Sequence, residues 1–164
     1  MNKSEKILLE KVTESIEGYQ DSVEADPYRL KYHIMPPVGL LNDPNGFIQF
    51  QGIYHLFYQW NPLDTAHGAK FWGHYTSSDL VHWEQRPIAL SPSDWFDKNG
   101  CYSGSAVEKN GKMLLFYTGN VKNEAGNRET YQCLATSEDG FHFEKKGPII
   151  NLPEGYTAHF RDPK

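Results

Sequence analysis

The feature that most limits what this chain can fold into is a tandem repeat. Leu56-Phe57-Tyr58 is answered by Leu115-Phe116-Tyr117 at an offset of 59 residues, and Thr76-Ser77-Ser78-Asp79 by Thr136-Ser137-Glu138-Asp139 at 60. His82-Trp83-Glu84 pairs with His142-Phe143-Glu144 at 60, and Pro87-Ile88 with Pro148-Ile149 at 61. Each copy carries four short runs rich in aromatic and β-branched residues, at 46–51, 53–60, 71–77 and 81–85, then at 102–108, 113–118, 130–137 and 141–145. Gln51-Gly52 and Asn110-Gly111 sit between apolar runs at hairpin distance. A four-stranded unit of about 60 residues repeated in tandem is the pattern of a β-propeller blade. The expected fold is therefore all-β, with a first blade over about 43–90, a second over about 102–150, and a third beginning near 160. A propeller closes with at least about four blades. The chain is thus expected to be the N-terminal portion of a longer protein, or a truncated product, with an incomplete propeller over 31–164.

Residues 1–30 read differently. Leu8, Val12, Ile16 and Tyr19 fall at helical spacing, with Ser4 as N-cap and Gly18 near the end, so a short amphipathic helix over 4–19 and a polar connector over 21–27 are expected. The N-terminus is charged from its third residue and has neither an apolar signal core nor a small-residue cleavage site, which points to the cytoplasm. Sixteen basic against twenty-one acidic residues give a net charge of −5 without a Lys/Arg cluster, so neither nucleic acid nor an anionic membrane is an expected partner. Cys101 and Cys133 lie in apolar runs without metal-ligand spacing and read as buried thiols. No pair among the seven histidines has metal-ligand spacing, and no metal or other cofactor is expected; His33, His55 and His74 alternate with aromatics and read as structural.

The chemistry centres on Asn42-Asp43-Pro44-Asn45-Gly46, five turn-forming residues flanked by apolar segments. A carboxylate fixed between buried runs is costly unless it is hydrogen-bonded or used. The repeat sharpens this. Adding 59 to Asp43 gives Tyr102, and adding 119 gives Asp162 in Arg161-Asp162-Pro163. These three residues are expected at the inner start of successive blades, converging on one pocket. Two carboxylates around one pocket suggest glycosidic bond cleavage through an oxocarbenium-like transition state. Asp43 is the better nucleophile, because Asn42 and Asn45 can donate hydrogen bonds that favour its ionised form. Asp162, beside Arg161, suits binding of sugar hydroxyls and is a poor general acid. Gln59, a neutral amide at the end of a strand, can bond sugar hydroxyls without altering Asp43. Three or more of the four tryptophans, Trp60, Trp72, Trp83 and Trp95, are expected in the core.

Taken together, Asn42–Gly46, Tyr54–Gln59, Phe71–His74, Asp79–Trp83, Tyr102–Val107 and Arg161–Pro163 resemble glycoside hydrolase family 32, in particular its bacterial intracellular branch, from about residue 30 onward. The resemblance implies a five-bladed propeller followed by a β-sandwich, and hydrolysis of the β-D-fructofuranosyl bond of sucrose 6-phosphate or sucrose with retention. It places Asp43 as nucleophile and Asp162 as transition-state stabiliser, with substrate contacts from Asn42, Gln59, Tyr102, Ser103 and Arg161. Leu40 and Leu41 stand at the head of the first motif, where Leu40 occupies a place the family commonly fills with Trp. His67 likewise stands where many members carry Trp before the glycine of the loop after Gln59. Both belong to the leaving-group side of the site. The family's acid/base is the Glu of a Glu-Cys pair downstream of Arg-Asp-Pro, and these residues contain no such pair. The chain alone is thus expected to be inactive or nearly so.

Three other readings remain open at this point. One is a sugar-binding or assembly module without turnover; the others are a fructosyltransferase and a five-bladed glycosidase acting on arabinose-containing polymers. An open propeller edge also predicts self-association.

Overall fold

In a computed structural model, which describes residues 2–164, one helix precedes two four-stranded antiparallel sheets. The helix α1 spans Lys3–Glu24. The first sheet holds β1 (Leu40–Phe50), β2 (Ile53–Asn61), β3 (Phe71–Ser77) and β4 (Glu84–Leu90) in that spatial order. The second repeats the order with β5 (Cys101–Lys109), β6 (Lys112–Lys122), β7 (Arg128–Ser137) and β8 (Glu144–Ile150). Two sequential meanders of this kind are two propeller blades.

The repeat is structural as well as sequential. Gln51-Gly52 and Asn110-Gly111 turn the two inner hairpins, all four with positive φ (48° and 82°, 54° and 74°), as the tight primed turns of hairpins require. At each outer corner the Asp accepts from the backbone N–H two and three residues on, all at 2.8 Å. The Asp is Asp79 in the first blade and Asp139 in the second. Each Asp also takes a ring nitrogen of His82 or His142, at 2.7 and 2.6 Å. This corner consumes residues 78–83 and 138–143, so the fourth strands begin at Glu84 and Glu144. The expected strands at 81–85 and 141–145 are displaced for that reason.

The main core lies between the two sheets. Phe50, Phe57, Trp72 and Leu90 of the first meet Cys101, Met113, Leu115, Tyr117, Cys133 and Ala135 of the second, with Phe96 of the connecting loop. A second cluster, Val38, Tyr58, Trp60 and Phe71, lies on the other face of the first blade and is covered by Val12 of α1. The helix is longer than its expected 4–19 span. Asn2 caps it in place of Ser4, its side chain accepting from Glu5 N at 2.8 Å. Gly18 is internal to it, and Val23 continues the apolar stripe as far as the last turn. Only Trp60 and Trp72 are fully buried; Trp83 is half-buried and Trp95 exposed, edge-on to Phe96 and Tyr131. Both cysteines are buried and free, and burial pushes the Cys133 thiol up to about 12. His33 is exposed before β1, whereas His55 and His74 are sealed between the blades. No helix among the described residues is long and apolar enough to cross a membrane.

Candidate active site

Asn42–Gly46 is not a loop. It lies inside β1 and pairs with β2, but the register breaks between Leu41 and Pro44 and again between Asn45 and Ile48. Pro lacks an N–H, and extra residues break the ladder, so a run with turn composition survives in a strand only as bulges. The first bulge sets Asn42 and Asp43 against Gln59 alone and turns the Asp43 carboxylate outward, where it is exposed. In the second blade the register breaks at the matching place, between Tyr102 and Gly104. Leu41 pairs with Trp60 and Cys101 with Gly119, while Pro44 pairs with Tyr58 and Gly104 with Tyr117. The structural equivalent of Asp43 is therefore Ser103, where the repeat arithmetic had pointed to Tyr102.

These two bulges touch. Ser103 Oγ donates to Asp43 Oδ2 at 2.8 Å, and Gln59 Nε2 donates to the same oxygen at 3.2 Å. Gln59 Nε2 also meets Ser103 Oγ in a short contact, while Gln59 Oε1 accepts from Asn42 Nδ2 at 3.0 Å. The expected donors to Asp43 are thus replaced. Asn42 braces Gln59, and Asn45 is buried with its Nδ2 unpartnered. Gln59, 6 % exposed, holds the carboxylate it was expected to leave alone. Both donors engage Oδ2, so Oδ1 has no side-chain donor among the described residues.

Arg161 and Asp162 follow β8 in an irregular segment, with turns at 153–156 and 157–160, that is pinned to the second blade. Asp162 N donates to Thr118 Oγ1 at 3.0 Å, Phe160 O accepts from Gln132 Nε2 at 2.8 Å, and Pro163 O accepts from Ser105 Oγ at 2.8 Å. Thr118 is the second-blade counterpart of Gln59, so Gln59 meets Ser103 as Thr118 meets Asp162. Asp162 thus lies against the second blade. It has φ 61°, a left-handed conformation that Asp tolerates, and its carboxylate is 3.6 Å from Arg161 Nε. Tyr102 is half-buried, its carbonyl accepting from Trp72 Nε1 at 3.1 Å, with the Arg128 guanidinium 5.6 Å from its ring centre. Leu40 and Leu41 open β1 opposite Asn61 and Trp60, and His67 is exposed on the loop between β2 and β3. The described residues bring Asn42, Asp43, Gln59 and Ser103 into one hydrogen-bonded cluster; Leu40, His67, Arg161 and Asp162 are not bonded to it. Among the described residues, the one carboxyl that burial pushes above its usual range is Asp97, and it is closed off under Lys145 and Tyr117 at 2.6 and 3.0 Å.

Sequence reasoning missed Lys70. The residue is 3 % exposed, and its Nζ has no hydrogen-bond partner among the described residues. The signal was present in Ala69-Lys70-Phe71-Trp72-Gly73-His74, where alternation puts Lys70 on the face of Trp72 and His74.

Residues 33–164 match the N-terminal domain of glycosyl hydrolases family 32. The chain is 64% identical over 157 residues to a sucrose-6-phosphate hydrolase of Bacillus subtilis, a match covering 96% of this chain and 33% of the relative. It is 53% identical to the Salmonella typhimurium enzyme of the same name, over 95% of this chain and 34% of that one. Among solved structures, a Lactobacillus gasseri sucrose-6-phosphate hydrolase superposes with a TM-score of 0.87 at 44% identity, covering 93% of this chain and 32% of that one. A Bombyx mori β-fructofuranosidase, solved as a mutant in complex with sucrose, superposes at 0.83 with 38% identity, over 99% of this chain and 34% of that one. The chain spans about a third of the length of these relatives. The match across residues 33–164, together with two meandering blades and an Asp-bearing bulge at the inner start of the first, makes this chain a member of glycosyl hydrolases family 32.

Proposed function

We propose that the protein carrying this chain hydrolyses the β-D-fructofuranosyl bond of sucrose 6-phosphate or sucrose, with retention of configuration. The observation that carries the reading is the state of Asp43: exposed on a bulge, with Oδ2 held by Ser103 and Gln59 and Oδ1 left to react. Oδ1 attacks the anomeric carbon of the fructosyl unit. The bond to the glucosyl oxygen breaks, and that oxygen takes a proton from a general acid. Water then attacks the same carbon, yields its proton to the conjugate base of that acid, and frees fructose and the Asp43 carboxylate. Asp162 lends negative charge to the oxocarbenium-like transition state. Asn42, Gln59, Tyr102, Ser103 and Arg161 contact the sugar, and Leu40, Leu41 and His67 line the leaving-group side. The names of the relatives support sucrose 6-phosphate as the first substrate to try.

The test is rapid acid quench of a protein of the relatives' full length during turnover, followed by peptide mass spectrometry. A hexosyl unit on the peptide containing Asp43 is the expected result. Turnover without any such adduct, or with inversion, would sink the reading. The 164-residue chain by itself should show little or no hydrolysis, because leaving-group protonation is worth about 10²–10⁴ in rate and these residues hold no Glu-Cys pair. Robust sucrose hydrolysis by the chain alone would refute that part.

A further inference from the structure

The segment that follows β8 is held through its main chain by side chains of the second blade. Gln132 Nε2 and Thr130 Oγ1 donate to Phe160 O at 2.8 and 3.2 Å, Asp162 N donates to Thr118 Oγ1 at 3.0 Å, and Ser105 Oγ donates to Pro163 O at 2.8 Å. Thr118 Oγ1 in turn donates to Gln132 Oε1 at 3.2 Å, which joins the two central grips in one chain. Thr118 and Gln132 are register partners in β6 and β7. Alternation puts them on the face opposite Tyr117 and Cys133, which pack toward the first blade. Thr118, Thr130 and Gln132 are 0 %, 1 % and 4 % exposed. Polar groups sunk that deep into a sheet face are costly unless their bonds are made, and here the bonds go to residues 160–163 and to one another.

The grip falls where the backbone needs it. Asp162 alone among residues 160–163 has positive φ, at 61°. A residue before proline is driven by sterics toward extended backbone, and residues other than glycine seldom enter the left-handed region. Such a conformation persists where its surroundings over-determine it. The carbonyl two residues before Asp162, its own N–H and the carbonyl of the next residue are all tied to the sheet. Release of φ toward the extended region would turn the Cα–Cβ bond about N–Cα and aim the exposed carboxylate elsewhere. The first blade does the same with the same two positions: Gln59 meets Ser103 Oγ, and its register partner Trp72 donates through Nε1 to Tyr102 O at 3.1 Å.

Resting on the reading of Asp162 as the charge that stabilises the transition state, we infer that Thr118 and Gln132 are positioning residues. They form a buried clamp that fixes the left-handed backbone of Asp162 and so aims its carboxylate at the sugar. Both side chains are sealed under the segment, so they act through Asp162 and not on the sugar itself.

The experiment measures kcat, KM and Tm with sucrose 6-phosphate in a protein of the relatives' full length. The variants are Thr118→Val, Thr118→Ser, Gln132→Leu, Asp162→Asn and the pair Thr118→Val with Asp162→Asn. Valine keeps the shape of threonine and removes the acceptor of Asp162 N. Thr118→Val should lower kcat by about 10–100-fold, the scale of a misplacement of about 1 Å, with little change in KM, as for a contact made only in the transition state. Thr118→Ser should recover most of the loss. Gln132→Leu, which frees Phe160 O, should act in the same way, and it serves the comparison if Val is not accepted at 118. In the Asp162→Asn background Thr118→Val should lower kcat no further, because the carboxylate that it aims is gone. A slow Asp162→Asn beside Thr118→Val and Gln132→Leu variants that lower only Tm overturns the clamp alone, as does a Thr118→Val loss that multiplies with that of Asp162→Asn. An Asp162→Asn as fast as the wild type overturns the role of Asp162 and the clamp with it.

Discussion

The two blades are alike at their outer corners and unlike at their inner ends. Ser77, Asp79 and His82 of the first corner have the same bonds as Ser137, Asp139 and His142 of the second. Away from those bonds, equivalent positions part company. Asp43 answers to Ser103, His55 and His74 to Leu114 and Leu134, and Gln85 to Lys145. Every blade must turn its corner in the same space, so the corner cannot drift. The inner bulge carries no such burden, because a bulge re-aims whatever side chain it holds. One bulge can therefore carry a carboxylate and the next the hydroxyl that bonds it.

Making the first bulge like the second is the largest lesion. In a protein of the relatives' full length, Asp43→Ser should lower kcat on the order of 10⁴-fold or more, while Tm stays close to wild type because the side chain is exposed. Retention of a tenth of the activity would mean that the inner ends do not divide the labour in this way.

The next test breaks what only the second blade has. Lys145 runs from β8 to the loop before β5 and neutralises Asp97, whose side chain is 0 % exposed. Lys145→Met leaves that carboxylate buried without its counter-charge, a loss of about 3–5 kcal/mol, read as a lowered denaturant midpoint. Lys145→Met with Asp97→Leu should regain most of it. In the first blade, Gln85→Met should do almost nothing, since Gln85 is exposed.

A third difference is a response to acid. His55 Nδ1 and His74 Nε2 are 3.0 Å apart, stacked with their centroids at 5.2 Å and enclosed by Phe57, Phe141 and Phe143. Burial, with Arg86 nearby, lowers His55 to about 4. Burial, then His55 and Arg86, lowers His74 to about 3. The unfolded chain binds these protons near pH 6.5, so the folded state loses stability as pH falls from about 6.5 toward 4, and loses none above. The slope for each histidine approaches about 1.4 kcal/mol per pH unit. Replacing both by the leucines of the second blade should flatten the stability profile between pH 6.5 and 4.5. An unchanged slope would assign the acid response elsewhere.

What could be read from the sequence follows the same division. The hairpins were legible because their chemistry is local, Gln-Gly or Asn-Gly supplying positive φ. The corners showed in the sequence only as a repeat, and Ser-x-Asp closing on the next backbone N–H groups displaced the strands expected at 81–85 and 141–145. The helix was legible in its apolar stripe but not in its ends, since Gly18 lies on an exposed face where nothing forces the helix to stop. The bulges were not legible. Asn-Asp-Pro-Asn-Gly has the composition of a turn, and only pairing with Trp60, Tyr58 and Phe57 of β2 draws it out as a strand. For the same reason the sequence singles out Asp43, Gln59 and Ser103 but not the bonds between them. Ser103 lies 60 positions away and reaches Oδ2 through the packing of one blade on the next.

The smallest effect tests the corners themselves, at the left-handed position where the first blade has Leu80 and the second Gly140. Leu80 has φ 67°, and its counterpart Gly140 has φ 79°. A left-handed Leu costs about 1–2 kcal/mol, and Leu80 is 47% exposed, so its side chain has little packing to lose. Leu80→Gly relieves that strain but gives the unfolded chain more freedom, worth about 0.4–1 kcal/mol. The net change in ΔG should therefore stay within about 1 kcal/mol of zero, on the stabilising side. The reverse exchange is not its mirror image. A Cβ on Gly140 would stand 2.7 Å from His55 Cε1, so Gly140→Ala must move a ring packed between the blades and should cost about 1–3 kcal/mol. Similar losses from both exchanges would mean that Leu80 supports something beyond its own corner. A neutral first exchange with a costly second would place the difference in the neighbour: the second corner packs against the first blade, and the first corner meets nothing that a glycine would fail to fill.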